Sequence, residues 1–160
     1  GRVARGVRGI RLRPGDQVIG MDIVEAGADI FVISKYGYGK KTNVDQFTPH
    51  ARGGVGIRSA VVNTKTGELI GVKRLVGDDQ EIIIISKQGQ TIRLGLNNIP
   101  SLGRATQGVR IMRLNDGDEV VSLALVEKGE EVEEDDSEAP KQTELASETK
   151  EEPAKDSSSK

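Results

Sequence analysis

Apolar residues in this chain fall in short runs, near residues 7–12, 18–24, 30–33, 55–62, 69–76, 82–85, 90–96, 109–114 and 120–126. Val and Ile dominate them, and both are stiff at χ1 and favoured on pleated surfaces. Turn sequences separate the runs: Pro14-Gly15-Asp16, Glu25-Ala26-Gly27, Tyr36-Gly37, Lys65-Thr66-Gly67, Gly77-Asp78-Asp79, Gln88-Gly89 and Asp116-Gly117. No stretch sustains a 3.6-residue apolar period. Short strands punctuated every ~8–12 residues predict an all-β body: a sandwich, barrel or propeller. The pattern stops near Gly129. The run EEVEEDDSEAPKQTELASETKEEPAKDSSSK has almost no bulky apolar residues to offset its ordering entropy, so 129–160 is predicted to be a disordered acidic tail.

The body repeats. GRVARGVRGIRL (1–12) aligns without gaps to GRATQGVRIMRL (103–114), and the match continues through Gly15/Gly117, Asp16/Asp118 and Val18/Val120. Between them lies ARGGVGIRSAVV (51–62). Arg2, Arg52 and Arg104 therefore correspond, as do Gly6, Gly56 and Gly108, and Arg8, Arg58 and Arg110. IFVISKYGYGKKT (30–42) also aligns with IIIISKQGQTIRL (82–94), sharing Ile-Ser-Lys-x-Gly. The unit is about 50 residues of roughly four strands, the size of a propeller-like blade. Two units (1–50 and 51–102) and the first half of a third (103–128) cannot close a ring, so further blades are expected upstream. An all-β domain with a chance match is the plainer alternative, which three registered copies of R-x3-G-[VI]-R disfavour.

Charge changes the picture because it is segregated. Residues 1–128 hold 19 Lys/Arg against 13 Asp/Glu, a net +6, while 129–160 hold 4 Lys against 12 Asp/Glu, a net −8. Together they give the overall −2. A basic body behind an acidic tail points to a nucleic-acid surface that the average hides. An Arg recurring at one position of each blade would set positive charge at regular points along a curved rim, as backbone phosphates require. The candidate phosphate contacts are the repeated Arg2, Arg52, Arg104, Arg8, Arg58 and Arg110, for which a solvated role is the weaker alternative, and Arg5, Arg11, Lys35, Lys40, Lys41, Lys87 and Arg93, each of which could equally be a solvated strand residue. Gly6, Gly53, Gly54, Gly56 and Gly108 read as turn glycines leading into strands. Two Tyr and two Phe make a poor stacking platform for unpaired bases. Phe31 and Phe47 are expected in the core, and Tyr36 and Tyr38 at a tight turn that runs on to Gly39. Duplex DNA held through its phosphates is the better reading.

Catalytic chemistry has little to stand on. Gly39-Lys40 resembles the end of a P-loop, but Lys41 replaces the needed Ser/Thr and Ser34 the first Gly. There is no cysteine and one histidine, His50, so neither a disulfide nor a Cys/His metal site is expected. No apolar stretch approaches the ~18 residues of a membrane span. Gly1 in place of Met suggests a piece of something longer. A cytosolic setting fits.

The segments GRVARGVRGIRLRPGDQVIGM (1–21), YGYGKKTNVDQF (36–47) and GRATQGVRIMRL (103–114) resemble the last blades of the C-terminal domain of bacterial DNA gyrase A subunits. The resemblance covers residues 1 to about 128, and an acidic tail after the domain is also typical. Topoisomerase IV A subunits share the motif set less closely. The resemblance implies a six-bladed β-pinwheel with DNA wrapped around its basic rim. Wrapping of that kind presents a positive crossing, and strand passage then yields negative supercoils at the expense of ATP. The family's hallmark box is Gln-Arg-Arg-Gly-Gly-x-Gly. HARGGVG (50–56) keeps Arg52, Gly53, Gly54 and Gly56 but has His50 and Ala51 for Gln and Arg, so it reads as a degenerate copy. The cleaving tyrosine belongs to the family's N-terminal region, and neither Tyr36 nor Tyr38 matches its context. ATP and Mg2+ would be held by other domains and subunits, so this fragment is expected to carry no cofactor. The implied partners are double-stranded DNA, the gyrase B protein and a second copy of the A protein, as an A2B2 assembly in the bacterial cytoplasm at the nucleoid. The competing readings are a topoisomerase IV domain and a protein-binding β-propeller.

Overall fold

A computed structural model of the chain describes residues 1–77 and 79–127; the predicted tail lies outside the described residues. Seven strands form two antiparallel sheets: β1 (Asp29–Ser34), β2 (Tyr38–Asn43), β3 (Leu69–Leu75), β4 (Gln80–Ser86), β5 (Thr91–Gly95), β6 (Val109–Arg110) and β7 (Val120–Glu127). The first sheet has the order β3-β1-β2-β6 and the second β5-β4-β7. Two single-turn 3₁₀ segments, Val44–Gln46 and Leu96–Asn98, follow β2 and β5.

The sequence repeat is visible in the register. Strands β3-β1-β2 correspond to β7-β4-β5, and each central strand shifts register at the same place, Ile33/Ser34 in β1 and Ile85/Ser86 in β4. Each sheet, however, is built across repeats. The first takes β1 and β2 from residues 1–50, β3 from 51–102 and β6 from 103–128; the second takes β4 and β5 from 51–102 and β7 from 103–128. A 50-residue unit is therefore not a self-contained blade. The edges of a two-stranded hairpin carry unpaired N–H and C=O groups, and the next repeat supplies the strand that satisfies them.

The core lies between the sheets. Phe31 and Ile33 of β1 and Ile82 and Ile84 of β4 are fully buried, joined by Leu75, Leu96, Ile99, Met112 and Val120. Side chains of this size contribute ~1.5–3 kcal/mol each when buried. Gly71 of β3 leaves the space that Leu123 of β7 fills, so the two sheets meet there without a side chain on one side. Phe31 fulfils its expected core role, while Phe47 is only half-buried and lies outside any strand.

Three predicted strands are absent. Residues 7–12, 18–24 and 55–62 form no strand and join neither sheet, and Val3, Val7, Met21 and Ile23 stand exposed. Apolar alternation alone makes no strand without a continuous ladder to a neighbour, and the isolated backbone bonds these segments make do not amount to one. The run 109–114 yields only Val109–Arg110, paired with Gly39 and Tyr38. One strand is present that the apolar pattern does not predict: the tight turn is Tyr36-Gly37 alone, and Tyr38–Asn43 is β2. Its lysines and glycine disguise it in sequence, since those residues are poor in strands.

Candidate nucleic-acid interface

The three repeated Arg/Gly entries touch one another in order. Gly53 N–H donates to Gly9 O (2.8 Å) and Arg11 N–H to Gly54 O (2.8 Å), joining the first entry to the second. One repeat later, Val61 N–H donates to Thr106 O (3.1 Å), and Arg104 Nη1 donates to Arg58 O (2.7 Å). Gly6, Gly56 and Gly108 all adopt positive φ (78°, 74° and 85°), as does Gly53 (78°). Gly54 is the exception: its φ is not positive, and its role is the carbonyl that receives Arg11. Space separates the three equivalents. A Cβ on Gly6 would meet nothing within 4 Å, whereas one on Gly108 would lie 2.6 Å from Gly39 O, because β6 presses against β2 there.

Arg2, Arg5, Arg8 and Arg11 are exposed on the segment before β1, and Arg52 and Arg58 on the segment before β3. Among the described residues none of the six is in an ion pair with a carboxylate. These six are exposed cations on the two segments that precede β1 and β3.

The strand lysines differ. Lys40 is fully buried, which corrects its assignment as a phosphate contact. Its ammonium donates to Gly103 O (2.6 Å), Arg104 O (2.8 Å) and Thr106 Oγ1 (3.0 Å), filling all three donor positions. Burial, followed by the nearby Arg104, pulls its pKa below the usual lysine value. Lys40 thus anchors the turn at residues 103–106. Lys41 is half-buried and donates to Leu96 O at 3.3 Å. Lys35 and Lys87, equivalent in the repeat, both reach Glu119, at 2.6 and 3.3 Å. The hydrogen bond from Lys35, then that from Lys87, holds the Glu119 carboxyl below its usual range. Arg93 pairs with Glu81 across β4 and β5. Lys35, Lys87 and Arg93 are therefore partly neutralised within the fold.

Two residues that the repeat and the charge pattern do not single out complete the picture. Glu119 is the shared carboxylate just described. Lys65, exposed on the turn before β3, stands 5.5 Å from the centroid of the Tyr38 ring, and Arg110 stands 5.4 Å from it. The only signal in sequence is Asn63-x-x-Thr66, whose Asn63 Oδ1 accepts from the N–H groups of Lys65 (2.9 Å) and Thr66 (3.1 Å) and fixes the turn.

A family model described as the DNA gyrase C-terminal domain, a beta-propeller, matches residues 1–25, 28–75 and 80–127. The DNA gyrase A subunit of Chlamydia pneumoniae is 38% identical over 131 residues, covering 81% of this chain and 16% of that protein. Its counterpart in Aminobacterium colombiense is 42% identical over 133 residues, covering 82% and 16%. A solved DNA gyrase A C-terminal domain aligns with a TM-score of 0.55 at 26% identity, over 59% of this chain and 32% of its own. A topoisomerase IV C-terminal domain gives 0.69 at 21% identity, over 77% and 38%, a likeness of fold. The chain thus spans a small part, 16%, of the length of these curated relatives.

Proposed function

The chain belongs to the DNA gyrase C-terminal domain family, and on that premise we propose that it binds and bends duplex DNA within the gyrase A protein. In that setting it is not itself catalytic. Cleavage by the N-terminal region of the A protein, ATP hydrolysis with Mg2+ on the B protein, and pairing with a second copy of the A protein take place outside this chain. The assembly works in the bacterial cytoplasm, and among the described residues no helix is long and apolar enough to cross a membrane.

The observation that carries the reading is the arginine series Arg2, Arg5, Arg8 and Arg11, then Arg52 and Arg58, all exposed and, among the described residues, without a carboxylate partner. Smooth bending of a 20–30 bp site costs on the order of 1–6 kcal/mol. A row of phosphate contacts with counterion release offsets that without reading sequence. The topoisomerase IV reading draws on the higher TM-score, but at 21% identity that likeness concerns fold, whereas the relatives at 38–42% identity are gyrase A subunits.

The test is a titration of the 160-residue chain with duplexes of unrelated sequence between 50 and 200 mM salt. Binding should weaken steeply with salt and show little sequence preference. A protein-binding propeller would show no such dependence. Relaxing closed circular DNA in the presence of the chain separates wrapping from plain binding, since wrapping leaves a linking-number change.

A further inference from the structure

The three residues of the Lys65–Tyr38–Arg110 cluster come from three different repeats, and the fold brings them to one place. Tyr38 lies on β2, directly opposite Arg110 of β6. Arg110 Nη2 donates to the Tyr38 hydroxyl at 3.0 Å. Lys65 reaches the same ring from the turn before β3. That turn is locked to the β1–β2 hairpin: Tyr36 N–H donates to Thr66 O (3.0 Å) and Lys35 N–H to Glu68 O (2.8 Å). Thr66 is buried, and Gly67 packs against Lys35 and Tyr36 where a Cβ would collide. The Lys65 backbone is therefore held in place before any ligand arrives.

The ring is buried, at 6% exposure, while both cations are exposed and, among the described residues, neither pairs with a carboxylate. They line a cleft of about 550 Å³. The carboxylates that line the same cleft are largely committed. Glu119 holds Lys35 and Lys87, and Asp118 Oδ1 accepts from the N–H groups of Gln88 (3.0 Å) and Glu119 (2.8 Å). Asp116 also lines the cleft and is exposed. The Arg110 hydrogen bond holds the Tyr38 hydroxyl below its usual pKa against the opposing effect of burial, with Arg110 and Lys65 charge adding to it.

We propose that Lys65, Arg110 and the Tyr38 hydroxyl form a pre-organised seat for one phosphodiester of nucleic acid. Two exposed cations drawn to one buried ring, one of them on a backbone already held in place, bind a phosphate with less ordering left to do than two free side chains. Arg110 offers the planar fork suited to phosphate oxygens and Lys65 the compact charge. The second sheet has no such seat, because Gln90 stands where Tyr38 does and Gly117 where Lys65 does, both at the 52-residue offset. The seat is thus particular to the first sheet and adds one fixed contact to the row of exposed arginines. This rests on the DNA-binding reading and sharpens it.

The test compares the full chain with Lys65→Gln, Arg110→Gln, Arg110→Lys and, as control, Lys73→Gln on β3. Each phosphate contact contributes about 0.9 to the slope of log K against log salt. Lys65→Gln and Arg110→Gln should each lower the slope by about that amount. Their deficit at 50 mM salt then shrinks about 3.5-fold at 200 mM. Lys73→Gln should leave it unchanged, and Arg110→Lys should retain the slope but bind more weakly. With only two tyrosines, ring-labelled chain and its Tyr36→Phe variant give assigned Tyr38 resonances, which should move when duplex is added. Duplex binding by the wild type with unaltered slopes in both Gln variants, or with Tyr38 unmoved, overturns the seat and leaves the general reading standing. Tyr38 movement with inorganic phosphate but not with duplex overturns its assignment to nucleic acid. Failure of the wild type to bind duplex at all removes the general reading first.

Discussion

Replacing Lys40 by Met isolates what a buried ammonium does in this fold. The methionine keeps the volume of the stem and removes the three hydrogen bonds. Gly103 O retains two donors, the Thr106 hydroxyl (2.8 Å) and the Thr106 N–H (3.2 Å). Arg104 O has no other donor among the described groups, and Thr106 Oγ1 loses a charged one. An orphaned buried acceptor costs ~1–3 kcal/mol, and a hydrogen bond to a charged group is worth ~1.5–3 kcal/mol. Against this, the variant no longer desolvates an ammonium that has no carboxylate partner, an effect already seen in the depressed lysine pKa. The net expectation is a loss of about 2–3 kcal/mol. With unfolding entropy near 2.1 cal/mol/K per residue over roughly 130 residues, that is about 9 °C in Tm. Thermal melts followed by circular dichroism measure it. Lys41→Met, which loses one 3.3 Å bond on a half-buried side chain, should shift Tm by no more than about 3 °C. Faster amide exchange at Thr106 should accompany the Lys40 change, because the turn it anchors loosens. A Lys40→Met protein melting within about 2 °C of wild type would refute the idea that Lys40 is a structural anchor.

Other outcomes follow from the same geometry. Gly108→Ala should destabilise by more than ~3 kcal/mol in denaturant titrations, combining left-handed strain with a clash on Gly39 O, while Gly6→Ala should cost only the ~1–2 kcal/mol of strain. Glu119→Gln frees Lys35 and Lys87, so duplex affinity at 50 mM salt should rise and the salt slope should steepen by about 0.9 for each lysine that reaches a phosphate; an unchanged slope would place those lysines away from DNA. The same variant should resist acid better in relative terms. Glu119 titrates lower in the folded state than unfolded, so its stabilisation is present above about pH 4.5 and is lost as pH falls through the folded value. Acid-unfolding curves of wild type and variant should converge at low pH. Removing residues 129–160 should tighten duplex binding at moderate salt by removing competing carboxylates, and unchanged affinity would count against that competition.

The β class, the ~50-residue period and the segregation of charge are all legible in the chain before it folds. Each is written in local terms: Val/Ile runs between turn residues, Ile-Ser-Lys-x-Gly recurring in β1 and β4, and arginines on three matching entries. The left-handed glycines at positions 6, 56 and 108 are legible too, since a repeated Gly before a strand has few other causes. Which strands share a sheet is a matter of tertiary packing. A hairpin's edge groups take whichever strand arrives, so β3, β6 and β7 cross repeat boundaries that the sequence draws as blade limits. Packing also sorts the cations. Lys40 and Lys41 are neighbours in sequence, but the strand pleat sends one ammonium into the turn at 103–106 and the other toward Leu96. In sequence Lys65 looks like turn filler and Tyr38 like a turn residue. Only the assembly of three repeats onto one hairpin sets Lys65 and Arg110 against the same ring, because electrostatic partners are chosen by distance in space rather than along the chain.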